Sequence, residues 1–191
     1  PTPAPIDAPE PATRALEPTA SSSRLPLLLG AELSARHPVG PVIGLRATAE
    51  IAAHVYLAAA LGLDLRSRSE ALADGARVSA RGAHLQASAG YDARIGPVRV
   101  LVGPSLRFTV DRGSAEGLPL EYTASSRAVL APGVYAAALW RFHSRLAVSL
   151  TSTLDWSLRG ASGRFAIDGR EVLAPGFELG IGVGLGYAFA P

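Results

Sequence analysis

The sequence predicts an all-β chain: an eight-stranded antiparallel up-and-down transmembrane β-barrel over residues 24–191, preceded by a disordered Pro/Ala/Ser-rich linker over residues 1–23. Three observations carry that prediction. Eight segments alternate large apolar with small or polar residues at period two, the spacing at which successive side chains of a strand point to opposite faces. Most of them run to 11 residues or more, whereas an ordinary strand has about 5 to 6 and a tilted membrane-crossing strand about 9 to 11. Their connections alternate between very short and long, as in a meander whose turns gather at one end and whose loops gather at the other.

Residues 1–23 hold six prolines, five alanines and the triplet Ser21, Ser22, Ser23, with almost nothing apolar to bury, so they read as an extended linker. The first two strands, 24–36 and 41–52, carry Glu32, Arg46 and Glu50 on the face opposite their aliphatic residues. The third, 55–66, does the same with Asp64 and Arg66, and the fourth, 76–92, with His84, Gln86, Ser88 and Asp92. The fifth, 97–110, sets Val98, Val100, Val102, Leu106, Phe108 and Val110 against Arg99 and Arg107. The sixth, 124–142, closes on Trp140 and Phe142. In the seventh, 145–158, Leu146, Val148, Leu150, Leu154, Trp156 and Leu158 alternate with Ala147, Ser149, Thr151, Thr153, Asp155 and Ser157.

The eighth strand, 176–189, contains FELGIGVGLGYAF. As a helix it would lose on the order of 1 kcal/mol at each interior glycine. As a strand it sorts into a wholly apolar face from Phe177 to Phe189 and a second face made of Glu178, Gly180, Gly182, Gly184, Gly186 and Ala188. The short connections are Ala53-His54, Arg94-Ile95-Gly96 and His143-Ser144. The long ones are SRSEALADGA, DRGSAEGLPLEY and RGASGRFAIDGREVLAP, and His37 to Gly40 is a short turn at their end.

Composition of the second face decides which side is out. A water-facing exterior carries many long charged side chains, and this face is small and mildly polar. Its charges are of both signs, Glu32, Glu50, Asp64, Asp92, Asp155 and Glu178 against Arg46, Arg66, Arg99 and Arg107. Such a mixture supplies the partners that buried charges require, so this face is assigned to the lumen. The apolar face then meets lipid. Its aromatics fall in two bands, Tyr91, Trp140, Phe142, Tyr187 and Phe189 toward the short turns and Phe108, Trp156 and Phe177 toward the long loops, as two membrane interfaces favour.

The chain is 48% hydrophobic, has no cysteine, and its basic residues are all arginine. Disulfides and thiolate metal sites are excluded. A net charge of +2 is too small to imply a nucleic-acid partner. No run of about 18 apolar residues free of breakers exists, so no transmembrane helix is expected. With no methionine and a start at PTPAPIDAPEP, we expect that a signal peptide or a preceding domain stood upstream.

Candidate chemistry is sparse. His84 and Ser88 share a strand face but stand about 13 Å apart along it, beyond hydrogen-bond reach. His37, His54 and His143 lie in different connections, so no metal cluster is expected. Asp155 and Glu178 face inward at the same end of neighbouring strands, where Arg107, Arg127 or Arg66 would neutralise them. GIGVGLG does not match G-x-G-x-x-G. Arg66, Arg68, Arg77 and Arg81 flank a long loop and read either as solvated strand ends or as a place for anionic lipid phosphates. No catalytic residue, cofactor or metal is expected.

From about Arg24 to Phe189 the chain resembles the small eight-stranded outer-membrane barrel proteins of Gram-negative bacteria. Its last strand resembles their assembly signal, here Gly184, Tyr187 and Phe189. It departs at Gly182, where a polar residue is common, and in the trailing Ala190-Pro191. The resemblance implies a place in the bacterial outer membrane with the N-terminus in the periplasm. It implies as partners the membrane's lipid, including lipopolysaccharide, the barrel assembly machinery, and a periplasmic domain or partner reached through the linker. An eight-stranded barrel is filled by its own side chains, so no wide pore is expected. The function expected is then non-enzymatic: an envelope structural element, an anchor, or recognition through the loops. The alternatives are a barrel enzyme acting on envelope lipid and a soluble lipocalin-like carrier.

Overall fold

The computed structural model describes residues 27–71, 75, 77–116, 125–158, 166–167, 170–171 and 176–189. The segment expected as a linker, 1–23, and the terminal Ala190-Pro191 lie outside them. In chain order the strands are β1 Leu28–His37, β2 Gly40–Ala52, β3 Val55–Asp64, β4 Arg68–Ala71, β5 Arg77–Ile95, β6 Val98–Glu116, β7 Ser125–Arg141, β8 Leu146–Trp156, β9 Ala166–Ile167, β10 Arg170–Glu171 and β11 Phe177–Ala188.

Eight walls form a closed antiparallel barrel. β1 pairs with both β2 and β11, the meander runs on through β8, β7, β6 and β5, and β3 closes onto β5. Closure gives each of the eight walls a paired neighbour on both sides. β4 continues the line of β3 along β5, with Arg68 opposite Ala80 and Ala71 opposite Arg77. The pair β9 and β10 is a small ribbon in the last long loop.

The eight predicted strands are the eight walls, with ends shifted by the register. The expected loop SRSEALADGA is partly strand, because β4 resumes the pairing after a break at residues 65–67. β6 runs to Glu116 rather than 110, since Asp111, Arg112 and Gly113 go on pairing with both neighbours and Ser114, Ala115 and Glu116 with β5. These residues look like loop because their outward positions turn polar. In water a two-sided polar strand needs no apolar stripe, and the ladder simply continues out of the band.

The short turns rest on local chemistry. His54 adopts φ +62°, a region open to few side chains. It is held there by its Nδ1–H, which donates to the Asp92 carbonyl at 3.2 Å, and by stacking on Tyr91 at 5.7 Å between ring centres.

Alternation is sharp. Leu150 is 54% exposed and its neighbour Thr151 is 2% exposed. Outward positions carry leucine, valine, isoleucine and aromatics, while Arg107, Asp111, Arg127 and Asp155 are all buried inside. From Val98 to Val110 the outward face of β6 is apolar, about 40 Å along the strand and about 30 Å along the axis of a tilted barrel. Aliphatic outside and charge inside is the reverse of a soluble barrel.

The glycine face of β11 meets side chains rather than space. A Cβ added at Gly182 would lie 2.8 Å from both Ser34 Cβ and Thr151 Oγ1 and 2.9 Å from Glu32 Oε1. At Gly184 it would lie 2.5 Å from Ser149 Oγ. The glycines are the spaces into which Glu32 and the β8 hydroxyls reach. Gly182→Leu is therefore expected to lose about 1 to 3 kcal/mol by overpacking, read as a lower urea midpoint for the gel-shifted folded band. A midpoint equal to the parent's would mean that this part of the lumen is empty.

Candidate functional site

The lumen is the part of the molecule where titratable groups converge, and it is layered. At the long-loop end β6 places Arg107 between two acids, 3.2 Å from Asp155 and 2.6 Å from Glu178. These acids sit opposite each other on β8 and β11. Two arginines share Asp111: Arg68 at 2.7 Å and Arg127 at 2.9 Å. Asp64 accepts the backbone N–H of Gly82 at 3.0 Å. Arg36 donates to His84 Nε2 at 2.7 Å. Since a guanidinium only donates, that nitrogen is an acceptor and has no lone pair left for a metal or a substrate proton.

In the middle, Arg46 makes a forked contact with Glu32 at 2.5 and 3.3 Å, and Thr151 donates to Glu32 at 3.2 Å. Arg46 also lies over the Tyr135 ring, 4.7 Å from its centre. The cavity left between Glu32, Arg36, Arg46 and His84 measures about 10 Å³, no more than one water requires. Toward the short turns the lumen holds an apolar cluster of Leu28, Tyr56, Leu101, Tyr135 and Leu139. Beside it Arg99 bridges Glu50, at 2.6 Å, and Asp92, whose Oδ1 accepts its Nε–H at 3.1 Å. A vestibule of about 400 Å³, lined by Arg94, Arg99, Arg141 and Leu139, opens at that end.

Of the ten residues expected in the lumen, the structure places Glu32, Arg46, Glu50, Asp64, Asp92, Arg99, Arg107, Asp155 and Glu178 inside. Arg66 is the exception. It stands exposed in the break between β3 and β4, and Arg68 enters the lumen two residues later. Sequence reasoning missed Arg36, Arg68 and Asp111 as members, the last because the apolar alternation of its strand stops at Val110. It also missed the inward tyrosines, whose phase on β3 and β7 was legible.

All eight girdle aromatics, Tyr91, Phe108, Trp140, Phe142, Trp156, Phe177, Tyr187 and Phe189, are exposed on the outer wall. Tyr187 and Phe189 meet edge to face at 5.1 Å, and Arg145 donates to the Tyr187 hydroxyl at 2.9 Å. Phe189 N–H donates to the Leu27 carbonyl at 2.9 Å, while Gly184 sits mid-strand facing Glu32 and Ser149.

No protein-family model matches the chain, and no curated protein sequence matches it. Solved structures do. The N-terminal β-barrel domain of Pseudomonas aeruginosa OprF is 11% identical with a TM-score of 0.55, the match covering 87% of this chain and 98% of that one. Ail, the attachment invasion locus protein of Yersinia pestis, is 13% identical with a TM-score of 0.52, over 86% and 97%. A major outer membrane protein of Thermus thermophilus is 16% identical with a TM-score of 0.67, over 85% and 99%. This chain has the fold of the outer-membrane β-barrels. Within that fold its lumen is a packed polar and apolar core, cross-linked by ion pairs that tie β1 to β2, β4 to β6 and β11, and β6 to β8 and β11.

Proposed function

We propose that the chain is an integral protein of a bacterial outer membrane, that its barrel anchors and presents the long loops without forming a conduit or an enzyme, and that its N-terminus and short turns face the periplasm. The observation that carries this reading is the inversion of the barrel, with charge buried inside and a predominantly apolar band outside. In water that band would leave many large apolar side chains unsatisfied. In a bilayer it is the expected surface.

The filled lumen supports an anchor over a pore. An enzymatic reading needs a nucleophile beside a free base, and His84 is already engaged by Arg36. A recognition role for the loops is supported by likeness to Ail, an attachment protein that has also been solved with the heparin analogue sucrose octasulfate.

Two measurements test the reading. The protein is expected to need detergent for extraction and to migrate differently on gels before and after heating; a chain that stays soluble after its membranes are pelleted would be a carrier instead. For orientation, a cysteine at exposed Ser114, on the long-loop side, is expected to react with an impermeant reagent on intact cells, whereas one at Ser144, in the turn between β7 and β8, is not. Ser162, in the last long loop, lies outside the described residues. Labelling at Ser144 alone would reverse the orientation.

A further inference from the structure

Just beyond the apolar band, Arg81 on β5 and Arg112 on β6 stand directly opposite each other on the outer wall. Both are exposed. Directly opposed residues of an antiparallel pair have Cβ atoms about 4.5 to 5.5 Å apart, and like charges there repel. Inside the lumen Arg46, Arg99 and Arg107 each have a carboxylate. Among the described residues Arg81 and Arg112 have none. Arg81 donates its Nε–H to the Asp64 carbonyl at 2.7 Å, which orients the side chain and leaves its terminal nitrogens available. A local rule broken without compensation inside the fold marks a place where something outside the fold supplies the compensation.

The surroundings define what that is. The next outward pair on the same face is Ser79 and Ser114, whose hydroxyls meet at 3.0 Å, and Ser126 flanks Arg112 on β7. Ser79, Arg81, Arg112 and Ser114 line a shallow groove together with Leu63 and Ser67. Immediately below, the same wall is apolar: Leu63, Ala83 and Val110 stand side by side. Phe108, in the aromatic band, lies four residues below Arg112, about 13 Å along the strand. Two guanidinium forks and two hydroxyls above an apolar wall fit a ligand with an anionic head and a hydrocarbon body.

We propose that Arg81 and Arg112, with Ser79 and Ser114, hold the phosphate of a phosphorylated lipid in the leaflet on the long-loop side. The proposal rests on the membrane reading above. A phosphate between the two forks accepts charge-assisted hydrogen bonds from both and turns the repulsion between them into shared attraction. The pair also sits just beyond the apolar wall, where the ligand's body stays in lipid.

The test uses the barrel refolded in neutral detergent, titrated with bisphosphorylated lipid A, with dephosphorylated lipid A and with inorganic phosphate, and bound species counted by native mass spectrometry. The parent is expected to retain one lipid A. Arg81→Gln and Arg112→Gln are each expected to weaken it about tenfold, and the double change about a hundredfold. Arg66→Gln removes the same charge from the same end and is expected to change nothing. Dephosphorylated lipid A is expected to bind at least about tenfold more weakly.

Retention of lipid A by the double variant at parental strength, or no retention by the parent, overturns the proposal. Displacement of lipid A by an equal concentration of inorganic phosphate overturns the lipid part and leaves a phosphate site. Should the double variant lack heat-modifiable migration, the single Arg112→Gln and Arg112→Lys proteins decide, Lys keeping the charge without the fork and binding between the other two. Failure of the parent to insert into phosphatidylcholine vesicles would count against the membrane reading itself.

Discussion

Arg107→Ala is expected to lower the stability of the folded barrel by about 3 to 5 kcal/mol, because it leaves two buried carboxylates without their shared cation. Arg107 is buried and holds Asp155 and Glu178 at once, and those acids face each other across β8 and β11. Urea titration followed by the heat-modifiable band and by tryptophan fluorescence measures the loss. The same titration on Arg107→Met combined with Asp155→Leu and Glu178→Leu separates two meanings of the network. Removing all three charges removes the desolvation cost together with the attraction, so most of the stability is expected to return. If the single variant lost no more than about 0.5 kcal/mol, the range of an ordinary surface substitution, the lumen would be solvated and the filled-barrel description would fall.

Leu150→Arg is expected to cost about 2 to 4 kcal/mol in lipid vesicles, while Leu158→Arg costs about 0 to 1. Both leucines point outward and are similarly exposed, at 54% and 45%. They differ in depth. Leu150 is mid-span on β8, and Leu158 follows the strand's end, where an arginine can reach the headgroups. In a water-exposed protein the two substitutions are equivalent surface changes. Equal effects on folding into vesicles would place the apolar band somewhere other than in a bilayer.

Much of this molecule is legible in one dimension because its determinants are local. A strand's two faces follow from the parity of residue number, so Phe177 to Phe189, or Leu146 to Leu158, declare an apolar side whatever their neighbours are. The same parity placed Glu32, Arg46, Asp92, Arg99, Arg107, Asp155 and Glu178 together on the other side. Once the strands exceed soluble length and the far face is small and mixed in charge, a closed barrel with its polar face inward is the arrangement that satisfies every backbone group in lipid.

What parity cannot supply is height. Partners in the lumen are set by strand tilt and register, which bring residues distant in sequence to one level. Arg107 therefore meets Asp155 and Glu178, while Arg127 and Arg68 share Asp111. The break at residues 65–67 puts Arg68 in the lumen and leaves Arg66 outside, a choice that only the pairing of β4 with β5 makes. Likewise Tyr56, Leu101 and Tyr135 form an apolar layer because closure of the sheet points three distant strands at one axis. The alternation of each strand was written in its residues; which charges neutralise each other, and which pair, Arg81 and Arg112, is left facing outward unneutralised, was decided by the register at which the strands closed.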